Sequence, residues 1–170
     1  VIELDPGMAF GTGTHPTTAM ALTLLEKYLQ PGATVFDIGT GSGILAIAAA
    51  RLGAAEVTAV DADPLAVEAA WANCERNRVT DRVSVLGGSL FEELPGAADL
   101  VLANITPSVL LELVVDLTAH LNPGGYFIGS GVIEPSFEEV KEGLAAQGFK
   151  LAEILGQEEW VAFAALREET

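Results

Sequence analysis

Short runs of β-branched and aliphatic residues alternate along this chain with longer stretches rich in Ala, Leu and Glu. Val35–Gly39 (VFDIG), Val57–Asp61 (VTAVD), Val83–Leu86 and Leu100–Ile105 (LVLANI) are almost continuously apolar, as strands buried on both faces are. Tyr126–Ser130 is a fifth such run. Phe149–Leu155 and Trp160–Leu166 (WVAFAAL) are predicted to pair as a terminal hairpin through Gln157-Glu158. Helices are expected between the strands at Pro16–Leu29, Ser42–Leu52, Pro64–Asn77, Pro107–Leu121 and Pro135–Gln147. Asp63-Pro64 and Thr106-Pro107 each set a capping side chain before a proline suited to a first helical turn. Gly32, Gly53, Gly124 and Gly148 mark the far ends. The alternation predicts an α/β fold: a doubly wound, mostly parallel sheet with an antiparallel C-terminal hairpin. Ligands of such sheets lie beyond the carboxyl ends of the strands.

At 170 residues the chain is expected to form one domain. Half of it is apolar and 19% is charged, which excludes a disordered tail or a coiled-coil rod. Twenty-four acids against eight bases leave a net charge of −16. Such a surface repels phosphate backbones, so no direct nucleic-acid partner is expected, whereas a basic protein would be attracted. A single cysteine, Cys74, allows no intrachain disulfide and favours a reducing, cytoplasmic compartment. No apolar run reaches the ~18 residues of a membrane span. No His, Cys and carboxylate residues cluster at metal-ligand spacing, so no metal is expected. Trp71 and Cys74, three apart on one helix, are expected to face the core, and His120 to complement a helix C-terminus.

The strongest local signal is Asp37-Ile38-Gly39-Thr40-Gly41-Ser42-Gly43, where the first of these strands turns into a helix. Glycines allow a tight turn and the close approach of a ligand; the plain alternative is a turn with no ligand. A dinucleotide loop wants a third Gly or Ala where Ile44 stands, and no Lys follows for a phosphate-cradling loop. Asp61 ends the second strand 22 residues after Gly39, a distance suited to an acid gripping ribose hydroxyls. Its alternative role is capping the next helix, which Asp63 can already do. Adenosine without an extended phosphate group is the ligand these features fit best.

The Gly39–Gly43 loop and Asp61 resemble the first two motifs of class I S-adenosylmethionine-dependent methyltransferases. The resemblance covers nearly the whole chain and implies a Rossmann-like, seven-stranded sheet whose last strand is antiparallel. Leu4–Thr18 (LDPGMAFGTGTHPTT) and Ala103-Asn104-Ile105 are similar to the methyltransferase family of ribosomal large-subunit protein eleven. That family trimethylates lysine side-chain amines and the N-terminal amine of its ribosomal protein. It also carries a small N-terminal substrate-recognition domain on a linker. The expectation is therefore a catalytic domain over 1–170 without that recognition domain, with S-adenosylmethionine as cofactor, S-adenosylhomocysteine as product and a basic ribosomal protein as substrate.

The same resemblance assigns site residues. Thr18 contacts the methionine end of the cofactor, with Thr17 beside it, although either threonine would equally suit a helix cap. Gly39 and Gly41 approach the amino-acid moiety, and Asp61 with Ala62 follows the second strand. Ser89-Leu90 stands where related enzymes bind the adenine edge, although an acid is commoner there and a plain turn is the alternative. Apart from the resemblance, the small residues around Gly11 and Gly13 in Phe10–Thr14 suit a flexible segment crossing the ligand, which would bring Phe10 to it; the alternative is an ordinary N-terminal loop. Asn104 ends the fourth strand beside the transferable methyl, where its carbonyl oxygen can accept a hydrogen bond from an amine and orient it. The alternative is a buried Asn satisfying backbone groups. His15 is the only nearby candidate for a general base, with helix capping or loop packing as its other reading.

Overall fold

The computed structural model describes residues 2–4, 15–94 and 96–168. Seven strands form one sheet in the order β3-β2-β1-β4-β5-β7-β6: β1 (Thr34–Ile38), β2 (Glu56–Asp61), β3 (Val83–Gly87), β4 (Ala98–Asn104), β5 (Leu121–Ile133), β6 (Phe149–Gln157) and β7 (Trp160–Arg167). The pairs among β1 to β5 are parallel, and β7 runs antiparallel to both β5 and β6. The expected doubly wound architecture and terminal hairpin are both present. The hairpin turns at Glu158-Glu159, one residue later than expected, with Gln157 paired to Trp160 and Glu158 at φ 55°.

Among the described residues, five α-helices cover the two faces: α1 (Pro16–Tyr28), α2 (Ile44–Arg51), α3 (Pro64–Arg76), α4 (Pro107–Asp116) and α5 (Phe137–Ala146). Alternate residues of the central strands point to opposite faces. Val35, Leu100, Leu102 and Ile128 pack with α1 and α2, while Phe36, Ile38, Val101 and Phe127 pack with α4 and α5. Every residue from Ile44 to Ala50 is buried, which explains why α2 is apolar on all sides. By the same alternation Asp37 faces the α2 side, a carboxyl within an otherwise apolar layer.

Several local expectations differ from the structure. The fourth helix ends at Asp116 rather than Leu121, because a 3₁₀ turn at Leu117–Ala119 leads directly into β5. That strand begins at Leu121, pairs with Ala98, then shifts register before Tyr126 meets Leu100. Gly124 therefore sits in this irregular stretch of β5, not at a helix end. Before α5, a 3₁₀ turn takes up Glu134–Ser136. Asp63 caps α3 by accepting from the Leu65 amide, but Thr106 makes no side-chain cap on α4. Its hydroxyl instead lies 3.5 Å from Ser108 Oγ.

Cys74 is fully buried, whereas Trp71 is 44% exposed. The inward face of α3 is built from Ala66, Ala69, Ala70, Asn73 and Cys74, and the indole falls at its rim. His120 is the C-cap of the 3₁₀ turn Leu117–Ala119, where its backbone amide donates to the Leu117 carbonyl, while its ring is engaged elsewhere: Nδ1 lies 3.0 Å from the Gly96 carbonyl and the ring stacks on Phe91. Among the described residues, no helix is long and apolar enough to cross a membrane.

Candidate functional site

The carboxyl ends of β1, β2 and β4 open on two adjoining cavities. One, about 270 Å³, has apolar walls from Ile38, Val60, Leu90, Ile105 and Val109, with Asp61, Ala62, Gly88 and Ser89 at its polar side. The other, about 340 Å³, runs over Gly39, Thr40 and Gly41 to Asn104 and Thr106. Gly39, Asp61, Ile105 and Val109 border both.

The glycine loop takes its shape from backbone conformations that side chains resist. Gly39, Gly41 and Gly43 have φ of 73°, 56° and 86°. A Cβ on Gly39 would also lie 2.6 Å from Ile105 Cγ2. Beneath the loop, the Asp37 carboxylate accepts the Thr40 hydroxyl at 2.6 Å. Burial pushes the Asp37 carboxyl up to about 6, against the hydrogen bonds from Thr40 and the Ala46 backbone, with the Asp61 charge adding to the rise.

Above the loop, the two oxygens of Asp61 accept one backbone amide each, from Gly41 and Asp63, both at 3.0 Å. A carboxylate has about four acceptor positions. Asp61 is thus fixed to the loop and still has lone pairs for neighbouring hydroxyl groups. The capping role is taken by Asp63.

A third cavity, about 210 Å³, shares Asn104, Ile105 and Thr106 with the second and is lined further by His15, Thr17, Gly131 and Trp160. Asn104 Nδ2 donates to Thr18 Oγ1 at 3.3 Å. The amide oxygen faces Gly131, where a Cβ would come within 3.1 Å of it. Ser130 Oγ donates to the Thr17 carbonyl at 2.7 Å, tying the start of α1 to β5. His15 is the N-cap of α1, its Nδ1 accepting from the Thr17 amide. Its capping reading therefore holds.

The family model for ribosomal protein L11 methyltransferase (PrmA) matches residues 1–168. The chain belongs to this family. The ribosomal protein L11 methyltransferase of Geobacillus thermodenitrificans is 50% identical over 167 residues, covering 98% of this chain and 54% of that protein. That of Pelotomaculum thermopropionicum is 53% identical over 165 residues, covering 97% and 54%. The chain spans about half the length of these relatives. The crystal structure of a ribosomal protein L11 methylase from Lactobacillus delbrueckii subsp. bulgaricus matches with a TM-score of 0.93 at 38% identity, covering 98% of this chain and 85% of that one. A methyltransferase from Pyrococcus furiosus, at 23% identity and a TM-score of 0.76 over 96% of this chain and 86% of its own, shares the fold. The sheet is thus the class I methyltransferase sheet that the glycine motif led us to expect.

Within this L11 methyltransferase family member, most residues singled out from the sequence converge. Gly39, Gly41, Asp61, Ala62, Ser89, Leu90 and Asn104 border the two adjoining cavities, and Thr17 borders the third. Thr18 is fully buried and meets the site through Asn104. Phe10 lies outside the described residues.

Sequence reasoning gave no role to Asp37 under the loop or to Thr40 that bonds it, to Ile105 and Val109 as shared walls, or to Gly131 and Trp160. An ionisable residue inside the apolar run VFDIG was the available signal for Asp37. Trp160 and Gly131 had none, because their place depends on how β7 pairs with β5.

Proposed function

We propose that this chain is the catalytic domain of an S-adenosylmethionine-dependent protein N-methyltransferase. Its acceptors are lysine side-chain and N-terminal amines of ribosomal protein L11. The observation that carries the reading is the shared walls of the three cavities: Asp61 borders the first two, and Asn104, Ile105 and Thr106 border the second and third.

The residues fit the cofactor. The walls of Ile38, Val60, Leu90, Ile105 and Val109 suit an adenine ring, with Ser89 and Ala62 at its edge. Asp61 suits the ribose hydroxyls, since both its oxygens are oriented by backbone amides and keep acceptor capacity. Gly39 and Gly41 allow the amino-acid end to approach the backbone, with Thr17, Thr18, Asn104 and Phe10 proposed around it. When bound, S-adenosylmethionine supplies an electrophilic methyl group.

Position and proton state are what the chain itself must provide. A lysine with pKa ~10.4 is about 0.04% neutral at pH 7, a cost of roughly 4.6 kcal/mol. Loss of water from the amine on docking and the neighbouring sulfonium charge of the cofactor both favour its neutral form. Asn104 Oδ1 accepts an amine N–H and directs the nitrogen lone pair away from itself, toward the cofactor cavity. Such positioning lowers the barrier without a general base. His15 is ill-suited to be that base through Nδ1, which accepts from the Thr17 amide.

The net charge of −16 supports a basic protein as substrate. Family membership and the L11 methyltransferase names of the relatives support ribosomal protein L11 in particular. A reducing, cytoplasmic setting follows from that substrate.

Calorimetric titration with S-adenosylhomocysteine, with NAD as control, tests the cofactor assignment. Mass spectrometry of purified L11 incubated with protein and S-adenosylmethionine tests the acceptor. Saturable binding of S-adenosylhomocysteine alone, with 14 Da increments on L11 amines, is expected. NAD binding in its place would return the fold to dinucleotide chemistry. Binding without any increment on L11 would leave a cofactor-binding module or another amine substrate.

A further inference from the structure

His15 is an unusual helix cap. Ser, Thr, Asp and Asn do that task better, and each would need fewer atoms. What an imidazole adds is a ring, and here the ring meets Trp160 edge-on, with centroids 5.4 Å apart and planes at 65°. Both residues line the cavity beside Asn104.

The nitrogen on the helix side is constrained. Nδ1 lies 3.2 Å from the Thr17 amide nitrogen and 2.8 Å from Thr17 Oγ1. An amide N–H can only donate, so Nδ1 is an acceptor and the neutral ring carries its proton on Nε2. The His15 carbonyl accepts from the amides of Thr18 and Ala19 at 3.1 and 3.0 Å. One residue therefore holds the first turn of α1 from both its side chain and its backbone. From that turn the Thr17 carbonyl accepts Ser130 Oγ and Thr18 Oγ1 accepts Asn104 Nδ2.

We propose that His15 is a positioning residue for the acceptor amine: through Thr17 and Thr18 it sets the orientation of Asn104, and through its ring it holds Trp160 as the opposite wall of the cavity. The proposal rests on the methyltransferase reading for its kinetic consequences, though not for the tautomer or the Trp160 contact. His15 touches no reacting atom in this scheme. The two functions are separable by substitution. His15→Asn keeps an acceptor near the Nδ1 position and removes the ring, whereas His15→Phe keeps a ring and removes the acceptor. His15→Ala removes both.

The test uses the full chain in three measurements. Long-range proton–nitrogen NMR of the wild type is expected to show His15 with a proton on Nε2 and a bare Nδ1. In a Trp71→Phe background, where Trp160 is the remaining tryptophan, its emission is expected to shift in His15→Asn and His15→Ala but not in His15→Phe. Steady-state methylation of purified L11 is expected to split. His15→Phe and His15→Ala lower kcat about tenfold. His15→Asn retains kcat and raises the KM for L11 about fivefold. The Kd for S-adenosylhomocysteine stays within about twofold throughout.

A protonated Nδ1 would overturn the proposal, as would equal kinetic damage in His15→Asn and His15→Ala. If the wild type does not methylate L11, the functional reading fails, and the tautomer and the Trp160 emission still decide whether His15 organises this cavity.

Discussion

Asn104 and Thr18, 86 positions apart, are joined by a 3.3 Å hydrogen bond from the side-chain amide to the hydroxyl. The bond links the end of β4 to the first turn of α1 and leaves Asn104 Oδ1 facing the cavity that holds Gly131 and Trp160. An amide so held differs from one that merely satisfies buried backbone groups, because its oxygen direction is set by a partner outside the cavity. Asn104→Ala is expected to lower kcat for L11 methylation about a hundredfold, with S-adenosylhomocysteine affinity changed about threefold or less. Thr18→Val, which removes the hydroxyl that anchors Asn104, is expected to cost about tenfold in kcat. Weakened cofactor binding with normal turnover would remove Asn104 from the amine-orienting role.

Asp61 carries two loads. Its oxygens hold the amides of Gly41 and Asp63, and they face the paired cavities. Asp61→Ala is expected to weaken S-adenosylhomocysteine binding by about 1–3 kcal/mol, the range for losing hydrogen bonds to a charged acceptor. Calorimetry at fixed ionic strength measures this directly. An unchanged Kd in a folded variant would mean that Asp61 serves the glycine loop alone.

Gly131 allows the third cavity to exist. Its φ is 88°, and a Cβ there would lie 2.5 Å from the Ile105 carbonyl and 3.1 Å from Asn104 Oδ1. Gly131→Ala is expected to destabilise the fold by about 1–2 kcal/mol through the strained backbone. It should also reduce kcat/KM for L11 more than affinity for S-adenosylhomocysteine. Urea titration and methylation kinetics read the two effects separately. Wild-type kinetics with wild-type stability would show that the acceptor amine does not use this cavity.

The periodicity of the chain was enough for the sheet, the hairpin and the three-layer order, since strands buried on both faces and helices between them carry strong local signals. The two cavities beside the glycine loop were legible for the same reason. Gly39, Gly41 and Asp61 lie within short segments at the ends of β1 and β2, so their spacing survives in the sequence. The cavity beside Asn104 was not. Trp160 comes to line that cavity only because β7 inserts between β5 and β6, and Gly131 only because β5 shifts register between Gly129 and Val132. The early end of α4 was missed because the sequence PSVLLELVVDLTAH keeps helical spacing past Asp116, while tertiary pairing of Leu121 with Ala98 draws the chain into β5. Trp71 was misplaced because spacing alone cannot tell the centre of a buried face from its rim.

Asp37 ties the site to the stability of the fold and makes it pH-dependent. The carboxyl is buried beneath the glycine loop and raised from 3.8 to about 6, chiefly by desolvation, so the folded state holds its proton where the unfolded chain has lost it. Stability from this group is fully present below pH 3.8 and falls as pH rises from there to about 6, above which both states are ionised and the loss is constant. At roughly 1.36 kcal/mol per pH unit, the total loss is about 3 kcal/mol. Asp37→Asn removes the titration while keeping an acceptor for the Thr40 hydroxyl. Urea unfolding of both proteins between pH 3.5 and pH 8 is therefore expected to show the variant gaining on the wild type by up to about 3 kcal/mol between pH 4 and pH 6, then running parallel to it. Because the other carboxylates are common to both proteins, their contribution cancels in the difference. A difference that does not change with pH would mean that Asp37 ionises as an ordinary carboxylate and that the loop rests on a charge throughout.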